Sequence, residues 1–109
     1  MDNWTIDIAR WAEMPLMEQM ANIGSEVGRT RKWIEKGKPQ LAESSFYRGL
    51  ELIDATIKTG RNNMPYRSCL LLELCRARDL FSESFLDCNS DGLDYLDKYF
   101  GQFASALRR

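Results

Sequence analysis

Apolar side chains recur every three to four positions along most of this chain, a spacing that predicts amphipathic helices. The first stripe consists of Leu16, Met20, Ile23, Val27 and Ile34. Pro15 suits the first turn of this helix, because the N–H group that proline lacks would be unpaired there anyway. Gly37 is placed as the stop at the C-terminal end. We therefore predict a first helix over residues 15–36.

A second and a third stripe follow. The second helix is predicted from Pro39 to Gly60, and residues 61–63 form a polar turn before a third helix that begins at Pro65. The stripe of the third helix consists of Leu71, Leu74, Cys75, Phe81 and Phe85. Further leucines widen its apolar arc, so we predict that this helix lies at the centre of the fold.

The fourth stripe completes the predicted architecture. It consists of Leu93, Leu96, Tyr99, Phe100, Phe103 and Leu107. A polar turn over residues 89–92 precedes it, with Asn89 as a candidate helix cap. Short turns between long helices favour antiparallel neighbours. The pattern therefore predicts an all-α protein in which residues 15–109 form a single up-and-down four-helix bundle.

Residues 1–14 precede this bundle and have an ambiguous pattern. Trp4, Ile6 and Ile8 alternate as in a strand, whereas Trp4, Ile8 and Trp11 match helical spacing. We expect an N-terminal arm or a short helix whose tryptophans dock onto the core. Binding of a partner protein by this arm is the alternative.

Composition narrows the chemistry that the chain can perform. Its 109 residues, 44% of them hydrophobic, can bury a core without metal or disulfide cross-links. The absence of histidine removes most general-base, proton-shuttle and metal-ligand chemistry. The net charge of −1 offers no bulk attraction to nucleic acid or to an anionic membrane. We therefore expect no enzyme activity, no cofactor, and neither nucleic acid nor membrane as a partner.

The three cysteines, Cys69, Cys75 and Cys88, have spacings that fit no zinc motif. Cys75 lies in an apolar run and is expected to be a buried thiol. Free thiols suit a reducing compartment. The N-terminus shows no signal-peptide pattern, and no apolar run is long enough to span a bilayer. These observations predict a cytoplasmic protein.

Two glycines, Gly24 and Gly28, lie four residues apart inside the first predicted helix. Each costs about 1 kcal/mol of helix stability relative to alanine, so their pairing needs a reason. The favoured interpretation is close approach by another helix, either within the bundle or across a dimer. The alternative is a ligand that lies against the bare backbone.

Charged residues near the helix faces form a second group of candidates. They are Glu26, Arg48, Glu51 and Arg76. The favoured interpretation is solvated surface pairs, each worth a few tenths of a kcal/mol. In the alternative they form a polar interface or a pocket in which arginine holds a phosphate. The basic cluster over residues 29–38 is interpreted as charge that complements a helix dipole, rather than as a nucleic-acid surface.

Residues 87–92 match the first half of a calcium-binding loop, in which Asp87, Asn89 and Asp91 would supply oxygen ligands. The match then fails, because the twelfth position should be a bidentate glutamate and is Lys98 here. We therefore predict no metal site that binds calcium tightly, and weak cation binding stays open.

Residues 35–53 carry a small-residue, aromatic and glutamate pattern formed by Ala42, Phe46, Gly49 and Glu51. This stretch resembles the junction between the first two helices of HEPN domains, which are four-helix bundles. HEPN ribonucleases share an arginine followed several residues later by histidine, and this chain has no histidine. The resemblance therefore implies a noncatalytic bundle that binds a nucleotide or partners a nucleotidyltransferase, often as a dimer. Residues 15–29 also resemble small bacterial helical proteins, which implies nothing about function.

Two functional hypotheses result. In the first, the chain is a noncatalytic interaction or regulatory protein that forms a homodimer or binds a protein partner. In the alternative, it is a HEPN-like accessory domain, with Glu26, Arg48, Glu51 and Arg76 lining a nucleotide pocket.

Overall fold

The structure, a computed structural model, describes residues 5–63 and 68–108, which are helical over most of their length. The helices are α1 (Ile8–Glu13), α2 (Leu16–Glu35), α3 (Pro39–Asn63), α4 (Ser68–Leu86) and α5 (Ser90–Leu107). No strand occurs within the described ranges, so the all-α prediction is confirmed. For residues 1–14, the strand-like alternation is not realised over α1, which is helical. Trp4 lies outside the described residues.

α2 is the central helix of the fold. It makes the most extensive helix–helix contacts, with α3 and with α5, whereas α4 contacts α3 and α5 less extensively. The prediction that α4 is central is therefore wrong. Its apolar arc is wider than the core can take up, since Leu72 and Leu86 are 53% and 75% exposed.

All five helices contribute side chains to one apolar core. Its buried members include Trp11, Met20, Ile23, Val27, Phe46, Ile53, Leu74, Phe81, Leu93, Leu96 and Phe100. The ring of Phe46 meets the edge of Phe81 at a centroid distance of 4.9 Å and stacks on Phe85 at 4.1 Å. Full burial of such a side chain contributes roughly 1.5–3 kcal/mol. The helical stripes predicted from the sequence thus face one interior, except that Leu107 at the end of the fourth stripe is 46% exposed.

Trp11 is the buried residue of α1 and anchors this helix on the bundle. The Trp11 side chain is 6% exposed, and its indole N–H donates a hydrogen bond to Thr56 Oγ1 at 3.0 Å. Gln19 Nε2 donates to the Trp11 carbonyl oxygen at 2.7 Å. The prediction that the tryptophans of residues 1–14 dock onto the core is therefore confirmed for Trp11.

α2 ends at the glycine that the sequence indicated. Gly37 has a φ of +69°, a left-handed conformation that glycine adopts without a steric penalty. The Lys38 N–H donates to the Trp33 carbonyl at 2.8 Å, and the Gly37 N–H donates to the Ile34 carbonyl at 3.1 Å. This pair of bonds is a Schellman motif, which satisfies carbonyls that the end of the helix would leave unpaired.

The second predicted stop, at Gly60, is wrong. α3 continues through Gly60 to Asn63, so the polar turn predicted over residues 61–63 is helical instead. A Cβ atom at position 60 would lie 2.9 Å from Leu71 Cδ2. Gly60 therefore makes room for α4, and it has no role in ending α3. The predicted helix start at Pro65 lies outside the described residues.

The turn between α4 and α5 repeats the motif that ends α2, but without a glycine. Cys88 has a φ of +53°, and the Asn89 N–H donates to the Ser84 carbonyl at 2.8 Å. Asn89 Oδ1 then accepts from the N–H groups of Asp91 and Gly92 at 3.1 and 3.3 Å. The cap predicted at Asn89 is confirmed.

Replacing Cys88 by glycine is expected to raise the free energy of unfolding by about 0.5–1 kcal/mol. Relief of the left-handed strain contributes roughly 1–2 kcal/mol, and the greater chain entropy of unfolded glycine takes back about half of it. Urea denaturation of Cys88→Gly and Cys88→Ala measures the effect. Alanine removes the thiol but keeps the strain, so equal stability of the two variants would contradict the expectation.

Among the described helices, none has both the length and the apolar composition that crossing a lipid bilayer requires.

Candidate functional site

Two of the predicted site residues, Glu26 and Arg76, lie on two separate surfaces of the bundle. The first is a hollow of about 360 Å³ lined by residues from 5–14, by residues from 22–29 and by Leu52. We call it the α1–α2 cleft. It combines an apolar wall with a few charged side chains, and its volume is within the range of about 300–1,000 Å³ typical of ligand pockets.

Glu26 is the most buried charged residue of the α1–α2 cleft. It is 7% exposed, and its Oε1 atom lies 3.1 Å from Arg29 Nη1, whose side chain is 56% exposed. That contact is an ion pair without hydrogen-bond geometry, so Oε1 accepts no hydrogen bond from the described part of the chain. Gly49 lies against it, since a Cβ there would be 3.5 Å from Glu26 Cβ. A buried carboxylate oxygen is thus left incompletely satisfied.

A second arginine lines the same cleft. Arg10 is exposed and belongs to α1, next to the buried ring of Trp11. Its backbone N–H donates to Asp7 Oδ1 at 3.2 Å, which caps the helix. Its guanidinium forms no ion pair within residues 5–63 and 68–108. Sequence reasoning missed Arg10, because its position in the cleft depends on how α1 docks.

The second surface is a groove of about 380 Å³ between α4 and α5. We call it the α4–α5 groove, and it is lined by Glu73, Arg76, Ala77, Leu80, Tyr95, Leu96 and Tyr99. The Tyr99 hydroxyl donates to Glu73 Oε1 at 2.9 Å. Burial, followed by this hydrogen bond and the charge of Glu73, raises the pKa of Tyr99 to about 12. The phenol is therefore neutral at physiological pH and acts as a fixed donor.

The two candidate glycines serve contacts between α2 and α5. A Cβ atom at Gly24 would lie 2.8 Å from Phe100 Cβ and 3.3 Å from the Phe100 carbonyl carbon. At Gly28 it would lie 3.2 Å from Asp97 Oδ1. The close approach occurs within the chain, and in both cases the space that a side chain would occupy is taken by α5.

Two of the four charged candidates line different hollows of the bundle. Glu26 lines the α1–α2 cleft and Arg76 lines the α4–α5 groove, on different elements. Arg48 is half-buried and Glu51 is exposed, and neither lines the cleft or the groove. Tyr95, which is 62% exposed in the groove, was not among the candidates, although its spacing of four from Tyr99 was the available signal.

The basic cluster of α2 is partly neutralised by acidic residues of α5. Arg31 lies 3.2 Å from Asp94 Oδ1 and 2.9 Å from Asp97 Oδ2. Lys32 and Lys36 lie over the ring of Trp33, at 5.9 and 5.7 Å from its centroid. Through these contacts, Arg31, Lys32 and Lys36 interact with other residues of the same chain.

The remaining candidate chemistry concerns cysteines and the acidic turn. Cys75 is half-buried, less than the buried thiol that was predicted, and Cys69 and Cys88 are exposed free thiols. Within the described ranges, no group of three or more acidic or cysteine side chains could hold a metal ion. In the turn, the Asn89 side-chain oxygen is occupied as a helix cap.

Comparison of the chain with protein-family models, with curated proteins and with solved structures found no match.

Proposed function

We propose that this chain is a noncatalytic helical interaction protein that self-associates, and that its homodimer forms across the α4–α5 groove. The observation that carries the proposal is the exposure of apolar and aromatic surface there. Tyr95 is 62% exposed and lines the groove with the half-buried Leu80. Leu72, next to Glu73 in the sequence of α4, is 53% exposed. Tyrosine in such a position supplies a large contact area at a low entropic cost, as at known binding hot spots.

The charges of the groove favour a second copy of the chain as the occupant. Glu73 and Arg76 carry opposite charges one helical turn apart on α4. A two-fold axis brings the same patch of two copies face to face, so the glutamate of one copy can lie opposite the arginine of the other. The groove is therefore complementary to itself. The nucleotide-binding alternative lacks comparable support, because its four proposed residues do not share a groove.

The proposal also includes the topology of the bundle and the compartment in which the protein resides. The packing of α2 with α3 and α5, and of α4 with both, supports an up-and-down four-helix bundle over α2–α5. The free thiols of Cys69, Cys75 and Cys88 favour a reducing compartment, and hence the cytoplasm.

Replacing Tyr95 by glutamate is expected to raise the dimer dissociation constant by about 30-fold or more, the loss that follows when a hot-spot tyrosine is replaced. Sedimentation velocity over a range of protein concentrations measures this constant. Tyr47→Glu is the matched control, because Tyr47 is also exposed, at 55%, but lies on α3. A wild-type chain that is monomeric at high micromolar concentration would refute the proposal.

Charge exchange tests the two-fold arrangement separately. Glu73→Arg and Arg76→Glu should each weaken the dimer, because like charges then face one another across the axis. The double variant should recover part of the affinity, since opposite charges face one another again. If the double variant is as weak as the sum of both single changes, these residues do not meet across the interface.

A further inference from the structure

We propose that α1 is a strap that opens and closes over the core while the rest of the bundle stays folded. This inference does not depend on dimerisation. It rests on how little of α1 is buried, on the break between α1 and α2, and on the two hollows that border α1.

A single side chain of α1 is buried. That side chain is Trp11, whereas every other residue of the helix is exposed. Ile6 and Met14, which flank α1, are half-buried. Segments with few buried apolar contacts open at a lower free energy than the core of the same protein. α1 therefore has the burial pattern of a segment that opens before the bundle unfolds.

Two hydrogen bonds hold Trp11 in its buried position. Its indole N–H donates to Thr56 Oγ1 at 3.0 Å, and its carbonyl oxygen accepts from Gln19 Nε2 at 2.7 Å. The Thr56 hydroxyl is buried and donates in turn to the Leu52 carbonyl at 2.9 Å. Water replaces both bonds to Trp11 when α1 lifts, so each of them stabilises the closed state only modestly. Thr56 is the latch of the strap.

The connection to α2 allows α1 to move separately. Met14 has a ψ of 135°, and Pro15 follows with a φ of −56° and a ψ of 145°, so both residues are extended. Proline has no N–H group, so Pro15 donates no backbone hydrogen bond to α1. The first bond of α2 runs from the Gln19 N–H to the Pro15 carbonyl at 3.0 Å. Rotation at Met14 therefore moves α1 and leaves this bond intact.

Two hollows border α1, and Met14 lines both of them. The α1–α2 cleft reaches Leu52 on α3. A second hollow, of about 230 Å³, lies between α1, α3 and α4 and reaches Thr56, one turn further along α3. Leu52 and Thr56 are both buried while α1 is closed. Lifting α1 joins the two hollows and exposes this floor, so the strap controls access to it.

Hydrogen exchange of the full chain, followed by NMR at several urea concentrations below the unfolding transition, tests the proposal. The Trp11 backbone N–H donates to the Asp7 carbonyl at 2.9 Å. After correction for intrinsic rates, it should exchange at least about 100-fold faster than the N–H groups of Ile23 and Val27 in the core. Its opening free energy should also fall less steeply with urea, because lifting α1 exposes less surface than global unfolding.

Two results would overturn the proposal. Equal protection and equal urea dependence at Trp11, Ile23 and Val27 would mean that α1 opens only when the whole bundle unfolds. Exchange of the Trp11 backbone N–H while its indole N–H stays protected would mean that the helix frays around a fixed ring. If the strap lifts as a unit, both N–H groups of Trp11 report the same opening free energy.

Thr56→Val tests the latch. Valine keeps the shape of threonine but removes the acceptor of the indole bond, so the exchange rate of Trp11 relative to that of Ile23 should rise by about 2- to 12-fold. Thr59→Val is the matched control, because Thr59 Oγ1 donates to the Ala55 carbonyl at 2.9 Å and forms no hydrogen bond to α1. The control should leave the ratio unchanged. A rise in Thr56→Val no larger than in the control would overturn the assignment of the latch.

Discussion

Replacing Gly24 by alanine is expected to lower the free energy of unfolding by about 2 kcal/mol, although alanine is the better helix former. The new Cβ atom would lie 2.8 Å from Phe100 Cβ and 3.3 Å from the Phe100 carbonyl carbon. Neither atom can rotate away, so α2 and α5 must separate. Overpacking of this kind costs about 1–3 kcal/mol, which outweighs the gain of about 1 kcal/mol in helix propensity.

Gly101→Ala provides the matched control with the opposite sign. Gly101 lies in α5, one residue beyond Phe100, and a Cβ atom there would meet nothing within 4 Å. Alanine should therefore raise the free energy of unfolding by up to about 1 kcal/mol. Urea denaturation of both variants measures the difference. Two changes of the same sign would show that α2 and α5 do not pack as described.

Gly24, Gly28 and Gly60 illustrate what can be predicted about glycines from the sequence. The pair at Gly24 and Gly28 predicted close approach by some helix, because two interior glycines within one turn are costly without a reason. It did not identify α5 as that helix. Gly60 was placed as a helix stop, because a glycine that ends a helix and one that admits a neighbour look alike in sequence. Only the position of Leu71 on α4 distinguishes them.

Replacing Phe81 by alanine is expected to have the largest effect on stability, a loss of about 3–5 kcal/mol. The Phe81 side chain is fully buried, and its ring lies at 4.9 Å from the ring of Phe46. The substitution removes this burial and leaves a cavity between α3 and α4. Thermal and urea unfolding measure the loss.

A double-mutant cycle with Gly49 tests the reason for that loss. A Cβ atom at Gly49 would lie 2.8 Å from Phe81 Cε2, so Gly49→Ala alone should destabilise the wild-type chain. In the Phe81→Ala background the ring is gone, and the same change should stabilise by up to about 1 kcal/mol through helix propensity. Additive effects would show that the two residues are not in contact.

The periodic stripes were sufficient to predict the helices, because the spacing of apolar residues along one helix face is a local property of the sequence. Leu74, Phe81 and Phe100 face the core as expected. Which helix makes the most extensive contacts was not predictable in the same way. α4 has the widest apolar arc, yet α2 makes the more extensive contacts with the same two helices, α3 and α5, because the extent of packing depends on how closely neighbouring helices approach.

The candidate sites were less accessible to sequence reasoning than the fold. The sequence indicated Glu26 as a candidate but did not indicate Arg10. Arg10 lines the α1–α2 cleft only because Trp11 anchors α1 on the bundle. Arg76 was grouped with Glu26, whereas the structure separates them onto different grooves. Spacing along a helix shows which face a residue occupies, but it does not show which helix lies opposite.

The contact between α2 and α5 joins segments that are far apart in the chain. Arg31 and Asp97, which pair across it, are separated by 66 residues. The apolar face of α2 that carries Met20, Ile23 and Val27 belongs to a helix that needs both α3 and α5 beside it. During synthesis, α2 leaves the ribosome well before α5 exists. A nascent chain therefore exposes part of this face to water and to chaperones until residues 90–107 have been translated.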